Sequence, residues 1–247
     1  MNGNGKSWTR KILEIGGLAA GVVLVAFGIA AIVMGFDGRS TVQSNLKYEY
    51  VTGTPDMTPA GTQEGIQGIL ASQQKIAAAR EKAGAPAIDL TPVSAPSCSV
   101  ADKPVNSGDR ARCFAEYLRI HALESTNGLV YAQMGRFLAK PDAPLKETDF
   151  NGGTSNADYA LTDPKTSQPV SNGVRNLWVT EMSLASALNL AYTAEKISIF
   201  GIVVGFALLL SGIGFIILAV AAFHRRAPAA ATEKAPPLVP APGGPKI

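Results

Sequence analysis

Two cysteines, Cys98 and Cys113, are the residues of this sequence best suited to form a covalent link. They lie between two apolar stretches, on a segment predicted to be outside the cytoplasm, where thiols normally pair as disulfides. A bond between them would join a proline-rich loop to the first turns of the next helix. It would stabilise the fold by roughly 3 kcal/mol in the chain-entropy model. Two free buried thiols are the alternative, and the spacing excludes a CxxC redox pair.

His121 is the only histidine between the apolar stretches, and Glu124 follows it at the i+3 spacing of one helix face. A metal site normally needs three or four protein ligands, and a non-haem iron oxygenase needs two histidines and a carboxylate. The second histidine, His224, lies at the far end of the second apolar stretch. No G-x-S-x-G elbow supports a serine nucleophile. We therefore predict a packed or hydrogen-bonded His121, no catalytic residue, no metal and no other cofactor.

Glu181 falls near the apolar stripe of the last predicted external helix. Arg119 or Arg136 could pair with it there, and a solvated position is the alternative. With His121 and Glu124, this carboxyl completes the set of candidate buried polar residues.

Two uncharged apolar stretches, residues 15–36 and 197–223, stand out from the rest of the chain. As helices they are roughly 33 and 40 Å long, and a bilayer core is about 30 Å thick. We predict that both are transmembrane helices. No acidic, basic or amide side chain lies inside either stretch, which argues against a transporter, channel or proton relay. Small residues at i and i+4 allow close helix approach, between the spans or between subunits. The candidates for such packing are Gly17, Gly21, Gly201 and Gly205.

The charges flanking these stretches predict the orientation of the chain. Residues 1–14 carry a net charge of +2 and residues 224–247 carry +3, whereas the 15 basic and 17 acidic residues between the spans give −2. Positive charge next to a span is retained in the cytoplasm. We predict a cell membrane protein with cytoplasmic residues 1–14, an extracytoplasmic domain over residues 37–196, and a disordered cytoplasmic Ala/Pro-rich tail over residues 224–247. The first span is longer than a signal-peptide core and lacks a small-x-small cleavage site, which favours an uncleaved signal anchor.

The external domain is predicted to be mainly α-helical, with long Pro/Gly-rich loops at residues 84–106 and 140–173. Its first segment, residues 46–51, alternates apolar and polar residues and predicts a short strand or a lone extended segment. A helix is predicted from Thr58-Pro59 to Lys82, and another from Ser107 to a stop at Asn127-Gly128. Residues 129–138 predict a short helix or a bent continuation of the preceding one. From Val174 the helical pattern runs without Pro or Gly into the second span, which predicts one continuous helix.

Several strings of this sequence resemble a family of actinobacterial membrane proteins with two terminal spans and an external helical domain. They are residues 117–128, 131–137, 178–181, 187–189 and 201–205, and the resemblance covers most of residues 10–223. Members are of unknown function, and similar sequences often carry the transferred name of an aromatic ring-opening dioxygenase. The single histidine of the external domain cannot build the two-histidine iron site of such an enzyme, so we expect that name to be wrong.

The function predicted from these features is that of a non-catalytic integral protein of the cell envelope. It would act as a structural or accessory partner of a membrane complex. Its predicted partners are the lipid bilayer and either a second copy or another membrane protein. No basic stripe with interleaved aromatics suggests nucleic acid. The alternatives are an extracytoplasmic ligand sensor that acts through a partner, and an enzyme.

Overall fold

The computed structural model describes residues 3–148 and 153–224, and these residues are mainly helical. They contain four α-helices, three short 3-10 turns and two two-residue strands. The chain forms two compact units. The first contains residues 1–32 and 203–247, and the second contains residues 33–202. Residues 225–247, which include nearly all of the predicted disordered tail, lie outside the described residues, as do residues 1, 2 and 149–152.

Helices α1, Gly3–Tyr48, and α4, Gly173–His224, are long and apolar enough to cross a membrane. Both extend beyond the stretches predicted to span it. The prediction that one continuous helix runs from Val174 through residues 197–223 is confirmed, because α4 is a single helix. The extended conformation predicted for residues 46–51 is wrong for Leu46–Tyr48, which form the last turn of α1. The chain turns only at Tyr50, whose φ of 52° is left-handed.

Helix α2, Gln63–Lys82, begins one turn later than predicted. The hydroxyl oxygen of Thr58 accepts a hydrogen bond from the Gly61 N–H at 2.9 Å, in a turn that precedes the helix. Helix α3, Gly108–Ser125, begins as predicted, because Ser107 caps it through a 3.5 Å bond from the Arg110 N–H. Asn127 and Gly128 end it with φ values of 54° and 80°, the left-handed stop that the sequence predicts.

The helix predicted over residues 129–138 is wrong. A single 3-10 turn, Tyr131–Gln133, is followed by strand β1, Phe137–Leu138, which pairs antiparallel with β2, Gly153–Thr154. Leu138 donates to the Val170 carbonyl at 2.8 Å and accepts from the Leu161 N–H at 2.7 Å. These long-range bonds satisfy the backbone without a helix. Two further 3-10 turns, Leu145–Glu147 and Ala157–Tyr159, shape the loop that leads to α4.

The core of the second unit lies where α2, α3 and the first half of α4 meet. Helix α2 contributes three isoleucines, α3 contributes Tyr117 and its apolar neighbours, and α4 contributes an aromatic ring and two aliphatic side chains. The buried residues that form its centre are Met57, Ile66, Ile69, Ile76, Val100, Val105, Tyr117, Ile120, Leu123, Leu129, Met134, Trp178, Ala185 and Leu188.

Candidate functional site

The sulfur atoms of Cys98 and Cys113 lie 2.07 Å apart, at disulfide distance, and their Cα atoms are 6.1 Å apart. The link joins the loop before α3 to the second turn of that helix. Beside it, the Tyr117 hydroxyl donates to the Cys98 carbonyl at 2.6 Å, and burial raises the pKa of this tyrosine. The pair therefore holds the proline-rich loop against α3.

His121 contacts a carboxylate other than Glu124, which the sequence places on the same helix face. Its Nε2 lies 2.9 Å from Oδ2 of Asp56, in the loop that precedes α2. A hydrogen bond from the Thr54 side chain lowers the pKa of Asp56, partial burial opposes this, and His121 lowers it further. The side chains of His121 and Asp56 are 28 % and 49 % exposed, so this is a half-exposed surface pair.

The other two candidate polar residues have no hydrogen bond to this pair among those of the described residues, although burial raises the pKa of Glu181 and the nearby His121 opposes that rise. Glu124 is exposed rather than buried, and its carboxylate lies against Gly65 of α2. Glu181 is half-buried, and within the described residues its Oε2 atom is buried without a hydrogen-bond partner. Arg119, one of its predicted partners, lies over the Trp178 ring at 5.9 Å. Among the described residues, no three His, Cys, Asp or Glu side chains form a group that could hold a metal ion.

Glu195 is a buried carboxylate that accepts three hydrogen bonds, and the sequence alone did not identify it. It is 4 % exposed on α4, two residues before the predicted second span. Its Oε1 atom accepts from Gln43 Nε2 at 2.8 Å and from Arg39 Nε at 3.2 Å, both on α1. Its Oε2 atom accepts from the N–H of Gly108, the first residue of α3. One carboxylate therefore connects three helices of the second unit.

Close helix packing in the first unit involves Gly21 and Gly205, two of the four candidate glycines. A Cβ atom at Gly21 would lie 2.8 Å from the Gly212 carbonyl oxygen, and one at Gly205 would lie 2.8 Å from that of Gly28. The backbones of α1 and α4 therefore touch. The order of these contacts makes the helices antiparallel here.

Gly17, a third candidate, makes no such contact. A Cβ atom at Gly17 would meet only Ala219 Cβ, at an ordinary 3.9 Å, and Gly201 is half-buried. In the second unit Gly35 makes the same kind of approach, because a Cβ atom there would lie 2.7 Å from the Ser198 carbonyl oxygen. The contacts thus follow a spacing of seven residues rather than the predicted four.

The outward side of α4 in the second unit carries an exposed, uncharged stripe. We call it the outer stripe; its members are Asn176, Val179, Ser183, Ser186, Leu190, Thr193, Ile197 and Phe200. Leu190 is 69 % exposed and Phe200 67 %. Between Arg175 and Glu195 the only charged residue of the helix is Glu181, which is not a member of the stripe.

The polar side chains on this side of α4 bond to their own helix. Ser183 Oγ donates to the Val179 carbonyl at 2.7 Å, and Ser186 Oγ to that of Met182 at 2.8 Å. Thr180 and Thr193 do the same at 3.1 and 3.0 Å. Such bonds to the carbonyl four residues earlier lower the effective polarity of a helix surface, as in transmembrane helices. The outer stripe thus offers few free donors to water.

A shallow groove of about 620 Å³ lies beside the N-terminal half of the outer stripe. Its lining residues are Tyr131, Trp178, Val179, Met182, Ser183 and Ser186. At one edge the Arg175 guanidinium lies 3.8 Å from the centre of the Tyr131 ring. The groove is widely open to the surface.

No protein-family model, curated protein or solved structure matches this chain. The family resemblance of its sequence strings therefore stays a prediction, and a function has to be argued from the residues themselves.

Proposed function

We propose that this chain is a non-catalytic integral membrane protein of the cell envelope that acts as an accessory partner in a membrane protein complex. In this proposal α1 and α4 cross the membrane through residues 15–36 and 197–223. Both termini are cytoplasmic, and residues 37–196 form an extracytoplasmic domain.

The outer stripe of α4 carries the proposal. Residues 176–196 extend about 31 Å along the helix, so they lie outside a bilayer core that residues 197–223 already fill. A helix face in water normally carries charged side chains, but this face exposes leucine, valine and self-bonded hydroxyls instead. A surface without charged side chains, on which Val179 and Leu190 are exposed, has the composition of the centre of a protein–protein contact. A protein partner outside the lipid core is what would cover it.

The antiparallel contact of the two long helices supports the proposed topology. Antiparallel spans place both chain ends on one side of a membrane, and the positive charge at both ends favours the cytoplasmic side. A disulfide at Cys98 and Cys113 fits an oxidising compartment on the other side.

Cysteine labelling in intact cells tests the topology. A Ser125→Cys variant places a thiol at an exposed position of α3, and Ser7→Cys places one before the first proposed span. A membrane-impermeant maleimide should label the first variant in intact cells and the second only after lysis. Labelling of Ser7→Cys in intact cells would refute the orientation.

Affinity purification from gently solubilised membranes tests the function. A tag at the C-terminal end should recover other membrane proteins in stoichiometric amounts. An L190K variant, which puts a charge on the outer stripe, should lose the partner that covers this stripe, whereas L184K, a change at an exposed leucine outside the stripe, should retain it. Recovery of this chain alone in several mild detergents would overturn the proposal.

A further inference from the structure

The members of the outer stripe repeat every seven residues. Asn176, Ser183, Leu190 and Ile197 form one row, and the second row lies three residues further along. That second row consists of Val179, Ser186, Thr193 and Phe200. Alternate spacings of three and four residues place these side chains on the face that a second helix would contact, as the a and d positions of a coiled coil do. Four of the eight are apolar, and the other four are small or polar.

We propose that the outer stripe is the contact between two copies of this chain, with the two α4 helices parallel. The inference rests on the proposed function, because it identifies one partner of the complex as a second copy. Two copies inserted in the same membrane have the same orientation, so their α4 helices run in the same direction. In a parallel pair each a or d residue meets its own counterpart, as a two-fold interface requires.

The chemistry of the stripe is complementary to itself. None of its members is charged, so no like charges meet when a residue faces its counterpart. Asn176 can pair with its own copy across the axis, since an amide both donates and accepts, and an asparagine at an a position fixes register in parallel dimers. Ser183 and Ser186 are small, and the groove beside them leaves room for a second helix.

The positions on one flank of the stripe also permit close approach. Thr180, Ala187, Ala194 and Gly201 follow the d positions by one residue, and all four are small. The other flank lies one residue before each a position and consists of Arg175, Met182, Asn189 and Lys196. In a parallel pair this flank faces the small residues of the first flank on the second copy. The only strong charges therefore lie at the two ends of the contact. A role in dimerisation also accounts for Gly201, which lies at the edge of the stripe.

Oxidative crosslinking in isolated membranes tests the contact with the full chain. The two native cysteines are bonded to each other, so a Ser186→Cys variant has one free thiol. It should form a covalent dimer of this chain upon mild oxidation. Ser40→Cys, an exposed serine on α1, is the matched control and should stay monomeric. Equal dimer fractions in both variants, or none from Ser186→Cys, would overturn the inference.

A photo-crosslinking amino acid at position 186 separates this inference from the proposed function. Adducts of two copies, reduced to background by L190K but retained in L184K, support the dimer. Adducts with other membrane proteins only would overturn the dimer and leave the proposed function intact. A folded protein that gives no adduct at all would count against both.

Discussion

Replacing Glu195 with alanine is the sharpest test of how the second unit is held together. The carboxylate accepts hydrogen bonds from Arg39, Gln43 and the first N–H of α3, and its side chain is almost fully buried. All three partners are donors, and a carboxylate is the side chain that offers only acceptors. Glutamine would place an amide donor against at least one of these donors, so Glu195→Gln should also destabilise the protein, although less than Glu195→Ala.

The expected cost follows from which partners can reach water after the change. The Arg39 side chain is 46 % exposed and can rehydrate, so its ion pair contributes only about 0–1 kcal/mol. The Gly108 N–H is a buried helix-terminal donor, and leaving such a group unpaired costs about 1–3 kcal/mol. Loss of the Gln43 bond adds about 1 kcal/mol. A total near 3 kcal/mol corresponds to a fall in Tm of about 6–12 °C for a unit of this size.

The assay can report on the second unit alone. The chain has two tryptophans, and Trp178 is 5 % exposed in the core of that unit. In a Trp8→Phe background, fluorescence of Trp178 follows thermal unfolding of the purified full chain in mild detergent. Glu124→Ala removes an exposed carboxylate from α3 and is the matched control, with an expected shift below about 2 °C. The reasoning is refuted if Glu195→Ala shifts Tm no more than this control.

Three further predictions concern the link, the helix pair and the surface dyad. Cys113→Ser opens a link of sequence separation 15 and should cost about 3 kcal/mol in the same unfolding assay; an unchanged Tm would contradict a formed disulfide. G28A places a Cβ atom 2.7 Å from a backbone nitrogen of α4 and should lower the free energy of unfolding by about 1–3 kcal/mol. G16A, which has nothing within 4 Å, should cost less than about 0.5 kcal/mol, and equal effects would refute the contact. The pKa of Asp56 is lowered first by the Thr54 side-chain hydrogen bond and then by His121, so the contacts of its ionised carboxylate stabilise the protein above the unfolded pKa and stop doing so as pH falls through the lower folded value. Asp56→Asn should therefore cost under about 1 kcal/mol near pH 6 and nothing near pH 2, by urea unfolding; a cost that grew on acidification would contradict the sign.

The helix boundaries that the sequence predicted well are those with local signals. Helix α3 has a serine cap at one end and a left-handed Asn127-Gly128 stop at the other, and both act within a few residues. The helix predicted over residues 129–138 does not form, because the backbone of this segment bonds to Val170, Leu161 and strand β2, far along the chain. Helical spacing of apolar residues over one short segment cannot reveal such partners.

The contacts of the long helices were only partly predictable for a related reason. The spacing of four residues identifies Gly21 and Gly205 but not Gly28, Gly35 and Gly212. These three glycines lie seven residues from the neighbouring contact glycine of the same helix. A supercoiled pair of helices has a repeat of 3.5 residues, so a seven-residue spacing is the better signal. Arg39 and Glu195 are 156 residues apart, and their only sequence signal is opposite charge beside the two predicted spans.

A comparison of α4 with α2 shows why the outer stripe is unlike an ordinary water-facing surface. Helix α2 and residues 173–202 of α4 belong to the second unit, and both contribute to its core. Helix α2 has 20 residues and five charged side chains: Glu64, Lys75, Arg80, Glu81 and Lys82. Residues 176–194 of α4 form a segment of similar length with one, Glu181. The charges of α2 show that this unit tolerates charged surface, so the uncharged stripe is a property of α4 itself. The contrast therefore supports the proposed partner on the exposed side of α4.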